Sequence, residues 1–77
     1  MSIEVKFFAS LCETLGMTTA TIDAEAAITI HDAWIIATNN TDYPANTLCA
    51  INMEYAHPDD TIRDGDEVAF FPPVTGG

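Results

Sequence analysis

Asp64-Gly65-Asp66-Glu67-Val68-Ala69-Phe70-Phe71-Pro72-Pro73-Val74-Thr75-Gly76-Gly77 closes the sequence with a turn, a strand and a tail, in that order. Arg63-Asp64-Gly65-Asp66 is a tight-turn signal. Glu67-Val68-Ala69-Phe70-Phe71 reads as a strand that feeds the tail directly. Pro72 and Pro73 fix φ and lack backbone donors, so they stiffen the exit from the folded body. Gly76 and Gly77 carry no Cβ, so a partner's backbone can approach them closely. Fully extended, residues 72–77 reach roughly 20 Å at about 3.3 Å each. No acid, amide or base side chain follows Phe71. Chemistry in this tail therefore falls to the terminal carboxylate of Gly77. Composition alone leaves two readings open, a frayed terminus and a reactive arm.

Working outward, the first strand is set by Ile3, Val5 and Phe7 alternating with Glu4 and Lys6, the period of a half-buried strand. Ser10-Leu11-Cys12-Glu13 reads as a capping box opening a short helix, which Gly16 can end. Residues 18–23 are threonine-rich and suit a second strand, and the short separation brings it back antiparallel. Thr29-Ile30-His31-Asp32 is another helix start, with Asp a weaker partner than Glu in the fourth position. Ile30, Ala33, Trp34 and Ala37 fall on one face of that helix, which makes Trp34 a core residue rather than a ligand platform. Asn39-Asn40-Thr41-Asp42 and Pro44 form a loop. Residues 48–55 read as a third strand, with Cys49, Ile51 and Met53 on one face and Asn52 and Glu54 on the other. His57-Pro58-Asp59-Asp60 is a turn. This order predicts a two-layer α+β domain over residues 1–71, with residues 72–77 as an extended tail.

At 77 residues the chain makes one domain, and 48% hydrophobic residues make it globular. A domain this short buries only about 60% of its unfolded surface, so a partner helps its stability. Twelve acidic residues oppose only Lys6 and Arg63, for a net charge of -10. That excludes nucleic acid, whose phosphates need Lys and Arg. It also places any phosphate-handling step on a more basic partner, with attraction steering the encounter. No apolar run is long enough for a membrane span. The N-terminal residues lack the pattern of a signal peptide, so a cytoplasmic location is expected.

Cys12 and Cys49 form no metal-ligand spacing and are expected to be reduced. Cys49 reads as a small hydrophobe. Cys12 falls near a helix start, which can lower a thiol's pKa, but no base is recognisable beside it. His31 and His57 stand apart, and no metal site is expected.

Residues 64–77 resemble the C-terminus of the molybdopterin synthase small subunit family. Val5-Lys6-Phe7-Phe8-Ala9, followed by Leu11, Glu13 and Gly16, is similar to that family's first strand and helix. Ala50-Ile51-Asn52 is similar to its third strand. The likeness is strong over residues 3–16 and 48–77 and weaker between. It departs at Cys12, where many members carry arginine. The resemblance implies a ubiquitin-like β-grasp fold and a sulfur-carrier role, inert alone and with no cofactor bound by this chain. In the family, a ubiquitin-activating-type adenylyltransferase uses ATP and magnesium to adenylate the terminal glycine. A sulfur donor system then replaces AMP to give a thiocarboxylate. The tail enters the large synthase subunit and gives its sulfur to cyclic pyranopterin monophosphate, on the way to the molybdenum cofactor. The family's synthase is a heterotetramer. By position, Gly77 would carry the adenylate and then the thiocarboxylate. Gly76 would pass a narrow channel lined against Val74 and Thr75, and Pro72 and Pro73 would set the exit direction. Phe70 or Phe71, whichever faces outward, would anchor the partner, with the sheet face near Phe7, Phe70 and Phe71 as an apolar partner patch. Three other readings stay open: a carrier for thiazole synthesis or tRNA thiolation, a ubiquitin-like modifier joined to lysines through Gly77, and a plain interaction domain.

Overall fold

The structure is a computed structural model that describes residues 2–25, 29–43 and 46–73. The alternation at the N-terminus produces β1, Ser2–Phe7, whose Ile3, Val5 and Phe7 are all buried. β2, Thr19–Asp23, pairs with it antiparallel and sets Ile22 beside Ile3 on the inner face. The short helix between them, α1, spans Ser10–Leu15. Its expected capping box does not form. Ala9, at φ 53°, takes the cap position without a side-chain bond, and Ser10 is already helical. The cause lies in the preceding residue. Phe8 N–H donates to the Phe70 carbonyl at 3.0 Å, prolonging the strand pairing. Only Ala9 is left to reverse the chain, which it does in the left-handed region. Gly16 ends the helix at φ 72°, as its lack of a Cβ favours.

α2, Ile30–Ala37, starts on the expected signal and does so with a full capping box. Asp32 N–H donates to Thr29 Oγ1 at 3.2 Å, and Thr29 N–H donates back to Asp32 Oδ2 at 3.1 Å. Aspartate thus does here what glutamate usually does. Ile30, Ala33 and Trp34 are fully buried and Ala37 packs at the margin. Asn39 and Asn40 leave the helix at φ 56° and 66°, a region asparagine visits more readily than most residues.

Residues 48–55 are not one strand. β3, Leu48–Ile51, and β4, Glu54–Ala56, form an antiparallel hairpin around Asn52 and Met53. These two residues have φ 50° and 72°, the double positive φ of a two-residue I′ turn. Met53 therefore leaves the face it was expected to share with Cys49 and Ile51, and Glu54 lies opposite Ile51. Such turns usually advertise themselves with Asn-Gly. Methionine in the glycine position hid this one. Asn52 also anchors the hairpin to the last strand: its Oδ1 accepts from Glu67 N–H at 3.0 Å and its Nδ2 donates to Asp66 Oδ1 at 3.1 Å.

β5, Glu67–Phe71, follows the predicted turn, in which Gly65 sits at φ 88° and Asp66 N–H donates to the Arg63 carbonyl at 3.0 Å. It lies parallel to β1 and antiparallel to β3, giving the sheet order β2-β1-β5-β3-β4. A mixed sheet with its first and last strands parallel at the centre, crossed by the helix between β2 and β3, is the β-grasp arrangement. Trp34 of α2 meets Phe70 at a ring-centroid distance of 5.0 Å and Phe7 at 5.7 Å, both edge to face. No helix among the described residues is long and apolar enough to cross a membrane.

Two acids are held in this packing. Cys49 Sγ donates to the Ala56 carbonyl at 3.3 Å, and Tyr43 OH donates to the Thr47 carbonyl at 3.2 Å. Burial pushes the Tyr43 phenol above its usual 10.0, with the nearby Cys49 adding to the rise, and burial pushes the Cys49 thiol above its usual 9.0. Both folded pKa values exceed the unfolded ones, so the native state holds protons that the unfolded state releases. The stabilisation is complete below the unfolded values and is lost as pH rises from 9.0 through 10.0 towards the raised ones. Urea unfolding between pH 7 and 11 should show a flat midpoint up to about pH 9 and a fall beyond it, shallower in Cys49→Ala. A midpoint level to pH 11 would contradict this reading.

Candidate functional site

The parity of β5 decides which face can meet a partner. Val68 and Phe70 point to the helix, so Glu67, Ala69 and Phe71 point away from it. Register then carries the outer face across the sheet. Lys6 and Ala50 flank Ala69 on either side, and Tyr55 lies beyond Ala50. These residues, with Phe8 and Met53, line a groove of about 370 Å³. Ala50 and Ala69 form its floor because a methyl side chain on a central strand leaves a depression between larger neighbours. The rim is apolar and wet: Phe8, Tyr55 and Met53 are 48%, 76% and 91% exposed. Tyr55 and Phe71 rings approach to 5.8 Å. Exposed apolar groups gathered around one hollow mark a place where another molecule sits.

One ion pair crosses this face. Lys6 Nζ lies 3.1 Å from Glu67 Oε2, with both side chains more than a third exposed. Solvent screens such a pair to roughly 0–1 kcal/mol. Its consequence is positional, since it holds the chain's one lysine flat along the end of the groove.

The expected partner residues divide. Phe71 lies in the groove. Phe7 and Phe70 do not: they are 3% and 0% exposed, stacked on each other at 5.8 Å beneath the helix. Neither can meet a partner while the domain is folded. The sequence has two Phe-Phe pairs, and alternation sends one ring of each inward and one outward. Phe8 is the outward ring of the first pair, and it was missed. Lys6, Ala50, Met53, Tyr55, Glu67 and Ala69 were missed as well. Counting alternation from Phe71 back to Ala69 and Glu67 would have found two of them. Tyr55 needed the hairpin turn. Pro72 is half-buried and Pro73 exposed, directly after the groove's Phe71. Val74, Thr75, Gly76 and Gly77 lie outside the described residues. Among the described residues no three of His, Cys, Asp and Glu converge as a metal-ligand group. His31 packs edge to face on Tyr43 at 6.1 Å.

The groove lies on the sheet face opposite the helix and includes Phe71, the last residue of β5. Residues 5–77 match the profile of the ThiS family. The chain belongs to the ThiS family. The molybdopterin synthase sulfur carrier subunit of Escherichia coli strain K12 is 37% identical over 84 aligned residues, which cover 97% of this chain and 99% of that one. Among solved structures, SAMP1 from Haloferax volcanii, a small archaeal modifier protein, is similar with a TM-score of 0.76 and 31% identity over 100% of both chains. The fold also matches, at a TM-score of 0.67, 22% identity and 100% coverage of both chains, a structure of the complex between subunits 1 and 2 of the Helicobacter pylori molybdopterin-converting factor.

Proposed function

We propose that this chain is the sulfur carrier subunit of a molybdopterin synthase, and that Gly77 bears the sulfur. The observation that carries the reading is end-to-end similarity, at 37% identity, to a protein of that function. The apolar groove beside the end of β5, lined by Phe8, Tyr55 and Phe71, supports it.

A carboxylate is a poor electrophile, so its oxygen must first become a leaving group. In the proposed sequence, a Gly77 carboxylate oxygen attacks the α-phosphorus of ATP on the adenylyltransferase, and pyrophosphate leaves. A sulfur nucleophile then attacks the acyl carbon, and AMP leaves with the oxygen. The resulting thiocarboxylate donates sulfur to cyclic pyranopterin monophosphate in the large subunit. The carrier contributes docking and reach. Its groove takes an apolar element of the partner. Phe71 roots the tail, Pro72 and Pro73 direct it, and Val74, Thr75 and Gly76 thread towards the partner's site. Its charge of -10 steers it to partners basic enough to bind anionic substrates. The Helicobacter pylori complex supports the large subunit as the docked partner. A heterotetramer, with one carrier at each end of a large-subunit dimer, in the cytoplasm, completes the proposal.

The test is the intact mass after incubation with the host's activating enzyme, ATP and a sulfur source. One oxygen-for-sulfur replacement is expected, absent without ATP. An unchanged mass, with the enzyme competent on a known carrier, would overturn the proposal. The likeness to SAMP1 favours one second reading, ligation of Gly77 to lysines of other proteins. Higher-mass conjugates of this chain in its host, lost when Gly77 is removed, would single that reading out.

A further inference from the structure

Met53 breaks two local rules at once. It holds φ 72°, where methionine pays a steric penalty that glycine does not. Its side chain is also the most exposed of the large hydrophobic residues described, at 91%. Neither feature serves the folded domain alone. A glycine would close the same turn without strain and without a wet thioether. Residues that violate local preference with no gain in the fold mark places where function sets the choice. The surroundings say which function. Met53 stands at the hairpin tip on the rim of the groove, with Tyr55, Phe71 and the Ala50–Ala69 floor. Asn52 ties that tip to the start of β5 through its side-chain and backbone bonds to Asp66 and Glu67. The thioether is thus presented on a fixed support, next to the strand from which the tail leaves.

We propose that Met53 is an oxidation-sensitive contact for the docked large subunit: intact, it covers apolar partner surface, and as the sulfoxide it weakens docking. The inference rests on the sulfur-carrier reading for the identity of the partner. The step is a two-electron oxidation by a peroxide-class oxidant. A sulfur lone pair attacks one peroxide oxygen, the O–O bond breaks, and that oxygen stays on sulfur while water leaves. The product replaces a flexible apolar group with a polar one. Full exposure admits the oxidant in the free carrier, and docking would shield the same atom. Oxidant would therefore act on carriers waiting for a partner more than on those engaged. Met17 is partly buried against the core, which makes it the slower target.

The experiment compares four forms of the full chain for binding to the large subunit by calorimetry: wild type, wild type treated with hydrogen peroxide, Met53→Leu, and Met53→Gly. Peptide mass spectrometry locates the added oxygen. Burying or losing one such side chain at an interface predicts a roughly tenfold rise in Kd for the Met53 sulfoxide and for Met53→Gly. Met53→Leu should bind within about twofold of wild type and keep that affinity after peroxide. Met53→Gly should also melt a few degrees higher, since the turn's strain is relieved, which separates lost contact from lost fold. Equal affinity of the sulfoxide and the untreated protein overturns the inference. So does tight binding by Met53→Gly, or an equal loss on peroxide treatment in Met53→Leu. Those results leave the sulfur-carrier reading intact. Failure of untreated wild type to bind the large subunit would instead overturn that reading, and this inference with it.

Discussion

Deleting Gly77 abolishes sulfur transfer to the pterin substrate while the domain unfolds at the same temperature as before. The expectation follows from distance. The deletion leaves a carboxylate on Gly76, so the reactive group is still present in kind. It is displaced by one residue, about 3.3 Å along an extended chain. A misplacement of about 1 Å at a reacting centre can already cost about a hundredfold. Adding one residue after Gly77 moves the carboxylate by the same length in the other direction and should fail equally. Stability is untouched because the buried part of the last strand ends at Phe70. Product formation by the reconstituted synthase, with thermal unfolding of the same samples, measures both halves. Full turnover by either variant would remove the terminal carboxylate from the mechanism. Lost turnover with a lowered melting point would show that the tail belongs to the fold, and the variant would then say nothing about chemistry.

What the sequence disclosed depended on whether local chemistry and tertiary demand agreed. β1, α2 and β5 were legible because period, cap and turn all pointed one way. Thr29 with Asp32, Gly16 and Gly65 carried signals whose physical meaning is local. The misreadings came where tertiary pairing overruled them. Ser10 lost its cap because Phe8 stayed in the sheet to meet Phe70, leaving one residue for the reversal. The β3–β4 hairpin was invisible because Met53 occupies the place of the glycine that would announce it. Phe71 was the legible part of the described site, since strand parity alone turns it away from the helix. The rest of the docking face was not. Its floor is alanine and its rim comes from β1, β4, β5 and two turns, so it exists only after the register is known. The sequence reading put Phe7 and Phe70 in a partner patch, but alternation buries both in the core and leaves Phe8 and Phe71 on the outer face.

That core makes the second large effect. Trp34→Ala should remove about 3–5 kcal/mol of folding stability, the usual cost of truncating a large buried aromatic. Trp34 is fully buried, and its ring meets Phe70, Tyr43 and Phe7 edge to face at 5.0, 5.1 and 5.7 Å. Its Nε1–H donates to the Thr41 carbonyl at 2.8 Å, closing the loop after α2. Alanine loses the packing and opens a cavity. The lost hydrogen bond is a minor part, because Thr41 is exposed and water can replace the indole. At 0.05–0.15 kcal/mol per residue, a domain of this size has about 4–12 kcal/mol in all. The substitution therefore takes about a quarter or more of it, and at about 4–8 °C per kcal/mol the melting point should fall by about 12 °C or more. Trp34→Phe keeps most of the ring area and should lose about 1–2 kcal/mol. Urea unfolding of the three proteins decides the matter, provided the dependence on urea stays constant. A loss below about 1 kcal/mol for alanine would mean that Phe7, Tyr43 and Phe70 close over the site, contrary to the cavity expected here. The consequence reaches the function through Phe70. Its inner packing fixes the plane of β5, and Ala69 and Phe71 on the other side of that strand form the groove floor and the tail's root. Loosening Trp34 should thus weaken docking as well as folding. Because only the native chain docks, saturating large subunit should restore part of the lost stability.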